Sequence, residues 1–214
     1  IIFEGINLLE CDRRVLRKLQ GNEISMIFQE PLNSLNPLIK VGKQVEESLK
    51  IHTTMDKLER KERAIKALRD VELDNPEAVY NSYPHELSGG MRQRVMIAIA
   101  LACNPKLVIA DEPTSALDVS VRAQILNLLT ELKSKLNLSM IFISHDIQTV
   151  RYVSDEIIVI EELLKYIEDN ITDFVSRIWQ VHPFREGNGR TYREFIRQIA
   201  DAVGYNLDWS KVDY

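Results

Sequence analysis

Apolar residues concentrate in four short stretches, residues 24–28, 107–110, 140–144 and 156–160, which are rich in Ile, Val, Leu and Phe. Apolar runs of this length are typical of strands that are buried on both faces. Segments with helical periodicity separate them, so the pattern predicts an α/β fold with a mostly parallel sheet covered by helices. Residues 119–136 repeat apolar positions at helical spacing and form the predicted crossover between the second and third strands.

Two regions of the chain depart from this alternation. The interval 39–103 contains no convincing strand and predicts a helical insertion, within which residues 56–71 have the charge and one-sided apolar positions of a solvated amphipathic helix. Residues 161–181 are again helical in periodicity, and no strand is evident after residue 160. We therefore predict an α/β domain over residues 1–160 and an all-α segment over residues 161–214.

Composition narrows the possible functions. The net charge is -5, and 27 Lys and Arg are dispersed among 32 Asp and Glu, which argues against nucleic acid as a partner. Cys11 and Cys103 lie far apart without ligand-like neighbours, which favours packing roles in a reducing cytoplasm. The longest apolar run, residues 95–103, is much shorter than the roughly 20 residues of a membrane-spanning helix. Because the chain opens on Ile1 without a leader, we expect material to be missing upstream.

Two carboxylates follow the second predicted strand. Asp111 and Glu112 stand at its carboxyl end, where open α/β sheets bind their ligands. Mg²⁺ prefers one or two carboxylates together with phosphate oxygens, so Asp111 is a candidate metal ligand. Glu112 is a candidate base for the water that attacks a γ-phosphate. Taken alone, the pair also fits a strand end with two solvated acids.

Three further features stand at the ends of predicted elements. Ser88, Gly89 and Gly90 precede an apolar helix, and unhindered N–H groups at a helix amino terminus bind phosphate. Gln29 follows the first predicted strand, and His145 follows the third. Each feature alone also fits a structural role, as a serine-capped glycine turn or a satisfied polar residue at a strand end.

Together, these segments occur in a characteristic order. Gln29, LSGGMRQR (87–94), LVIADEPTSALD (107–118) and ISHD (143–146) resemble the ATP-binding-cassette (ABC) ATPases over about residues 1–160. The resemblance implies that the sheet and insertion form an N-terminally truncated ABC ATPase-like fold. It also implies ATP and Mg²⁺ as cofactors, with the family's roles falling on the residues at these positions.

The resemblance carries specific roles to individual residues. Gln29 matches the Q-loop glutamine, which senses Mg²⁺ and the membrane partner. Ser88, Gly89 and Gly90 match the signature loop, which contacts the γ-phosphate held by the opposite subunit of a dimer. The remaining matches are the Walker B aspartate, the catalytic glutamate, the dimer-contacting D-loop and the switch histidine, which fall on Asp111, Glu112, residues 115–118 and His145.

A finer resemblance concerns the transported substrate. FQEPLNSLNPLIKVGKQ (28–44) and YPHELSGGMRQR (83–94) resemble the oligopeptide, dipeptide and nickel importer branch of the family. This implies short peptides as cargo, an ATPase dimer partner and separate membrane permease subunits. It also implies a cytoplasmic chain that lies peripherally at the inner face of the cell membrane.

One family element is missing from the chain. ABC ATPases need G-x-x-x-x-G-K-[ST], whose backbone amides and lysine hold the β- and γ-phosphates. The only Gly-Lys pair is Gly42-Lys43, which has Pro37 at the position of the first glycine and Gln44 after the lysine. We therefore expect weak ATP binding in the chain's own site and a signature loop that serves an intact partner.

A second motif spans residues 182–193, HPFREGNGRTYR. A Gly-Asn-Gly turn at a helix start forms an anion-binding nest, and two arginines on the following turn add donors suited to phosphate. A histidine at its start is a candidate general base, and an adjacent glutamate is a candidate Mg²⁺ ligand. The residues concerned are His182, Glu186, Gly187, Asn188, Gly189, Arg190 and Arg193.

This stretch resembles the Fic-domain motif H-x-F-x-[DE]-G-N-G-R-x-x-R at every specified position. The resemblance implies that His182 deprotonates a hydroxyl of a target protein, that Glu186 holds Mg²⁺ and that the turn with Asn188 holds the α-phosphate of ATP. Arg190 and Arg193 then bind the outer phosphates, and AMP is transferred to the target hydroxyl with release of pyrophosphate. The similarity covers only residues 161–214, and the helices that precede the motif in the family are absent.

Three hypotheses follow from the two resemblances. The chain is the ATP-binding subunit of a peptide importer, a Fic-type protein adenylyltransferase that uses the first domain as a scaffold, or a non-enzymatic fusion fragment. We favour the importer subunit, because its resemblance covers about three quarters of the chain.

Overall fold

The computed structural model describes residues 1–29 and 34–156. The fourth predicted strand, the all-α segment and the HPFREGNGRTYR motif lie outside these residues, apart from Glu156, which forms a bend. Residues 1–16 belong to a different compact unit from residues 17–156, so the two parts are described separately.

A three-stranded parallel sheet is the centre of residues 17–156. It consists of β3 (Ile24–Ile27), β4 (Leu107–Asp111) and β5 (Ser139–Ile143), in the order β3-β4-β5. Ile24 pairs with Leu107, which in turn pairs with Ser139. The predicted α/β fold with a parallel sheet is confirmed, and the strand bounds differ from the predicted ones by a residue at individual ends.

One face of the sheet lies on the main hydrophobic core. Ile27, Val108 and Ala110 are fully buried there, and the half-buried Met140 and Phe142 of β5 pack against the same core. On the opposite face of β5, Ile141 and Ile143 are exposed. The apolar run had predicted burial on both faces, and among the described residues this edge strand shows burial on one face only.

The interval between β3 and β4 is helical, as predicted. It contains α2 (Val41–His52), α3 (Lys57–Asp70), α4 (Pro76–Asn81), a 3-10 turn (Pro84–Glu86) and α5 (Gly89–Leu101). The start of α3 follows from a capping box, in which Asp56 accepts from Leu58 and Glu59 while the Glu59 side chain accepts from the Asp56 N–H. Apolar residues of these helices join those of the sheet in one core.

The predicted crossover is α6 (Val119–Lys135), which connects β4 to β5. Its buried face carries Ile125, Leu128, Leu129 and Leu132 at helical spacing. After β5 follows α7 (Ile147–Val153), which packs against α6. Among the described helices, none combines the length and the apolar character that a bilayer-spanning segment needs.

The first residues form a small antiparallel hairpin of β1 (Ile2–Phe3) and β2 (Ile6–Asn7). Gly5 adopts φ +78° in its turn, a conformation that glycine reaches without steric cost. The helix α1 (Arg13–Leu19) follows. The sequence pattern did not predict β1 and β2, because strands of two residues are too short to produce a recognisable alternation.

Candidate nucleotide site

The two candidate carboxylates stand at the carboxyl end of β4. Asp111 is the last residue of the strand, and Glu112 follows with φ +41°, in the left-handed region that non-glycine residues rarely occupy. The Glu112 N–H donates to the Ile143 carbonyl over 2.9 Å, and the Glu112 carbonyl accepts from the Ser115 N–H over 3.2 Å. These hydrogen bonds hold Glu112 in its strained backbone conformation. Such strain is found at functional sites more than at ordinary strand ends.

The carboxylate of Glu112 contacts two side chains that follow the neighbouring strands β3 and β5. Gln29 Nε2 donates to Glu112 Oε2 over 2.8 Å, and His145 Nδ1 lies 2.6 Å from Glu112 Oε1. Because an ionised carboxylate only accepts, Nδ1 carries the proton in this contact. The carboxyl ends of the three parallel strands meet at one edge of the sheet. Gln29 and His145 therefore both reach the carboxylate of Glu112, although they are 83 and 33 positions away from it in the sequence.

Burial sets the electrostatics of this edge. Asp111 is only 7% exposed, and burial, with the neighbouring charge of Glu112 as the second cause, raises its pKa to about 7. The hydrogen bond that His145 donates to Glu112, and the negative charge of that carboxylate, raise the pKa of His145. A buried carboxylate that is costly to ionise is stabilised by a cation. Asp111 therefore fits Mg²⁺, which needs only one or two protein carboxylates and takes its other ligands from phosphate and water.

The Ser88-Gly89-Gly90 segment forms the amino terminus of α5. Ser88 is the N-cap residue, and its hydroxyl accepts from the Met91 N–H over 3.2 Å. The first turn carries no acidic residue, and a Cβ added to Gly89 would meet nothing within 4 Å. Gly89 is open at this helix end, and among the described residues the Gly89 and Gly90 N–H groups donate to no acceptor, as phosphate binding requires. Among the described residues, no hydrogen bond links it to Gln29, Glu112 or His145.

The second glycine of this segment is needed for packing. A Cβ on Gly90 would lie 2.7 Å from Val121 Cγ1, so the start of α5 is seated directly on the first turn of α6. The helix α6 begins just after residues 115–118, with Asp118 at its N-cap. The contact between Val121 and Gly90 thus places the Ser88-Gly89-Gly90 segment beside the helix that follows the loop after Glu112. No sequence signal indicated this role of Val121.

This contact gives a testable prediction. Gly90→Ala is expected to destabilise the fold by about 1–2 kcal/mol, because the methyl overlaps Val121, whose branched side chain is stiff in a helix. In a Val121→Ala background, the same change is expected to be neutral or stabilising, since alanine is the better helix former. Urea unfolding of the two single variants and the double variant measures the difference. Equal costs in both backgrounds would show that the two residues are not coupled.

Comparison with known proteins identifies the family. A model of the ABC transporter family matches residues 2–115, just over half of the chain. The chain belongs to the ABC transporter family. The structure is similar to that of a solved ATP-binding cassette, MJ0796, in its dimeric post-hydrolysis state bound to ADP and Pi. The two are 34% identical with a TM-score of 0.62, and the match covers 71% of this chain and 64% of the MJ0796 chain.

Curated ABC relatives are ATP-binding proteins named for peptide transport. The oligopeptide transport ATP-binding protein OppD of Escherichia coli is 49% identical over 86% of this chain and 54% of its own length. AppD of Bacillus subtilis, with the same description, is 48% identical over 79% of this chain and 51% of its own length. The dipeptide transport protein DppD of Haemophilus influenzae is 49% identical over 90% of this chain and 58% of its own length. The chain thus spans about half the length of these relatives.

A second family model, that of the Fic/DOC family, matches residues 124–200. Its first part, residues 124–156, lies on α6, β5 and α7, of which β5 belongs to the parallel sheet. The motif residues His182 to Arg193 lie outside the described residues. The match supports the sequence resemblance at the level of the family and adds no geometry to it.

The Gly-Lys pair of this ABC chain has a structural role. A Cβ on Gly42 would lie 2.0 Å from the ring of Tyr80, and Lys43 Nζ donates to both oxygens of Glu46 over 2.9 and 3.0 Å. The hydroxyl of Tyr80 donates to the same carboxylate. Gly42 is therefore buried against Tyr80, and the exposed Lys43 pairs with the buried Glu46 within the helical insertion, which agrees with their exclusion as a phosphate loop.

Proposed function

We propose that the chain is the ATP-binding subunit of an oligopeptide or dipeptide ABC importer, which couples ATP hydrolysis to transport. The observation that carries this proposal is the convergence of Gln29 and His145 on Glu112 beside the buried Asp111, at the ligand-binding edge of the sheet. The peptide transport names of the relatives support the cargo class.

The proposed roles follow from position and chemistry. When ATP occupies the site, Asp111 would hold Mg²⁺, which neutralises phosphate charge, and Glu112 would accept a proton from the attacking water. His145 and Gln29 would orient that carboxylate through the two contacts described above. The open amino terminus of α5, with Ser88, would bind the γ-phosphate held by a dimer partner. An ABC dimer partner and membrane permease subunits would place the chain at the inner face of the membrane.

We further propose that this 214-residue chain binds ATP only weakly on its own, because it contains no G-x-x-x-x-G-K-[ST] segment. Titration of the purified chain with labelled ATP and Mg²⁺ tests this, and no saturation is expected in the micromolar range. Micromolar affinity that Asp111→Asn abolishes would show that the site holds the nucleotide without that segment.

Reconstitution tests the importer role itself. The chain is combined with permease subunits and an intact ABC partner in proteoliposomes, and ATP-dependent uptake of a labelled peptide is measured. We expect uptake to require the chain. Failure of the chain to copurify with either component, under conditions in which the E. coli OppD relative does so, would contradict the proposal.

A second candidate function is protein adenylyltransfer by the residues of the Fic motif. The complete HPFREGNGRTYR motif and the Fic/DOC match favour it. Incubation with ATP labelled in the α-phosphate and a cell lysate should label protein if this activity exists, and His182→Ala should abolish the label because the general base is lost. Label that persists in His182→Ala, or no label at all, would remove this candidate.

A further inference from the structure

Two aromatic rings stack in the segment that precedes the Ser88-Gly89-Gly90 turn. The rings of Tyr83 and His85 have centroids 5.6 Å apart and planes 13° from parallel. Lys40 Nζ lies over the Tyr83 ring, 6.0 Å from its centroid, and adds a cation–π contact. His85 is exposed, and within the described part of the chain its side chain makes no hydrogen bond, ion pair or second ring contact. We call Tyr83 and His85 the ring pair.

The backbone around the ring pair is fixed by the 3-10 turn that follows Tyr83. The Tyr83 N–H donates to Glu86 Oε2 over 2.6 Å, and the Glu86 N–H donates to the Tyr83 carbonyl over 3.0 Å. Pro84 and Leu87, before and after His85, are buried and anchor the turn in the protein. The rings are therefore held in place before any ligand binds, which lowers the entropic cost of binding.

The ring pair lies close to the open helix end where a γ-phosphate is proposed to bind. His85 stands three positions before Ser88, so their Cα atoms are at most about 11 Å apart. In ATP, the triphosphate and the ribose separate the γ-phosphate from the base by a similar length. A nucleotide with its γ-phosphate at Ser88 can therefore bring its base to His85.

We propose that the ring pair stacks on the purine base of the ATP whose γ-phosphate binds at the start of α5, an inference that rests on the proposed importer function. The nucleotide itself is held by the intact dimer partner. The exposed His85 ring offers the face on which the base lies, and Tyr83 supports that ring from the other side. Stacking uses the π-face that every base has, so GTP is expected to use the same contact as ATP.

Steady-state ATPase measurements on the full chain assembled with an intact partner cassette test the proposal. His85→Ala is expected to raise the KM for ATP about tenfold, the usual size of one lost base stack, and to leave kcat unchanged. His85→Phe keeps a ring and should keep the KM of the parent. A triphosphate with 2-aminopurine as its base gives a second readout, because stacking on a ring quenches its fluorescence. We expect quenching with the parent and His85→Phe, and its loss in His85→Ala.

A matched control removes an exposed aromatic ring elsewhere. Tyr152 on α7 is 60% exposed, and Tyr152→Ala should keep the KM of the parent. An unchanged KM in His85→Ala, or an equal rise in both alanine variants, would overturn the proposal. Loss of peptide uptake in His85→Ala without a change in KM would also overturn it and would assign the rings to a permease contact. An assembled parent chain that supports uptake while His85→Ala keeps its KM would leave the importer function standing.

Discussion

Replacing Gly89 with Asp is expected to lower the ATPase rate of an intact partner cassette by about 10²–10³-fold, the loss typical of removing one preorganised phosphate donor. The Gly89 position is open, with nothing within 4 Å of an added Cβ, so the fold should accept the side chain. Its carboxylate would stand at the helix end where a γ-phosphate is to bind, and like charges repel there. The measurement is phosphate release by the assembled pair at saturating ATP.

The control for this prediction is Glu112→Gln in the same assembly. If the chain's own site does not hold ATP, removal of its candidate base should leave the partner's rate unchanged. A large loss in Glu112→Gln with little effect of Gly89→Asp would reverse the assignment. It would mean that this chain hydrolyses ATP itself and that its α5 terminus is not shared with the partner.

The largest expected effect on stability comes from Gly42→Ala, which should cost about 3 kcal/mol or more in the free energy of unfolding. The new methyl would lie 2.0–2.3 Å from three ring carbons of Tyr80, which is itself 5% exposed and cannot move into solvent. Moving the ring would also break its hydrogen bond to the buried Glu46, leaving a carboxylate oxygen without that donor. Urea denaturation measures the loss.

Two further variants make the Gly42 prediction specific. Gly89→Ala adds the same methyl at an open helix position and should change stability by less than about 1 kcal/mol. In a Tyr80→Leu background, which removes the ring, Gly42→Ala should become much less costly than in the parent. A cost that stays the same without the ring would show that Tyr80 is not the source of the strain.

The candidate site illustrates what local pattern can and cannot supply. Asp111 and Glu112 were recognisable because an apolar strand ends in two acids, and Gln29 and His145 because each follows a strand. Individually, each also fitted a structural role. Their shared contact with Glu112 arises only when three parallel strands end at the same edge, so the geometry of the trio comes from the sheet.

Other features had no local signal at all. Val121 looked like one more apolar position of a crossover helix, and its contact with Gly90 depends on how α5 and α6 cross. Pro37 and Gln44 already excluded Gly42-Lys43 as a phosphate loop, but the packing of Gly42 against Tyr80, 38 positions away in the sequence, had no local signal. The exposure of Ile141 and Ile143 likewise depends on what lies beside β5, which an apolar run does not specify.

The chain by itself determined the alternation of strands and helices, the helical insertion and the order of its ABC motifs, because periodicity and caps are properties of neighbouring residues. Tertiary structure decided which motif residues meet, which glycine is open and which is packed, and that the buried Asp111 has a pKa raised to about 7. Those properties depend on burial and on contacts between residues remote in sequence, and they form only when the sheet and its helices pack together.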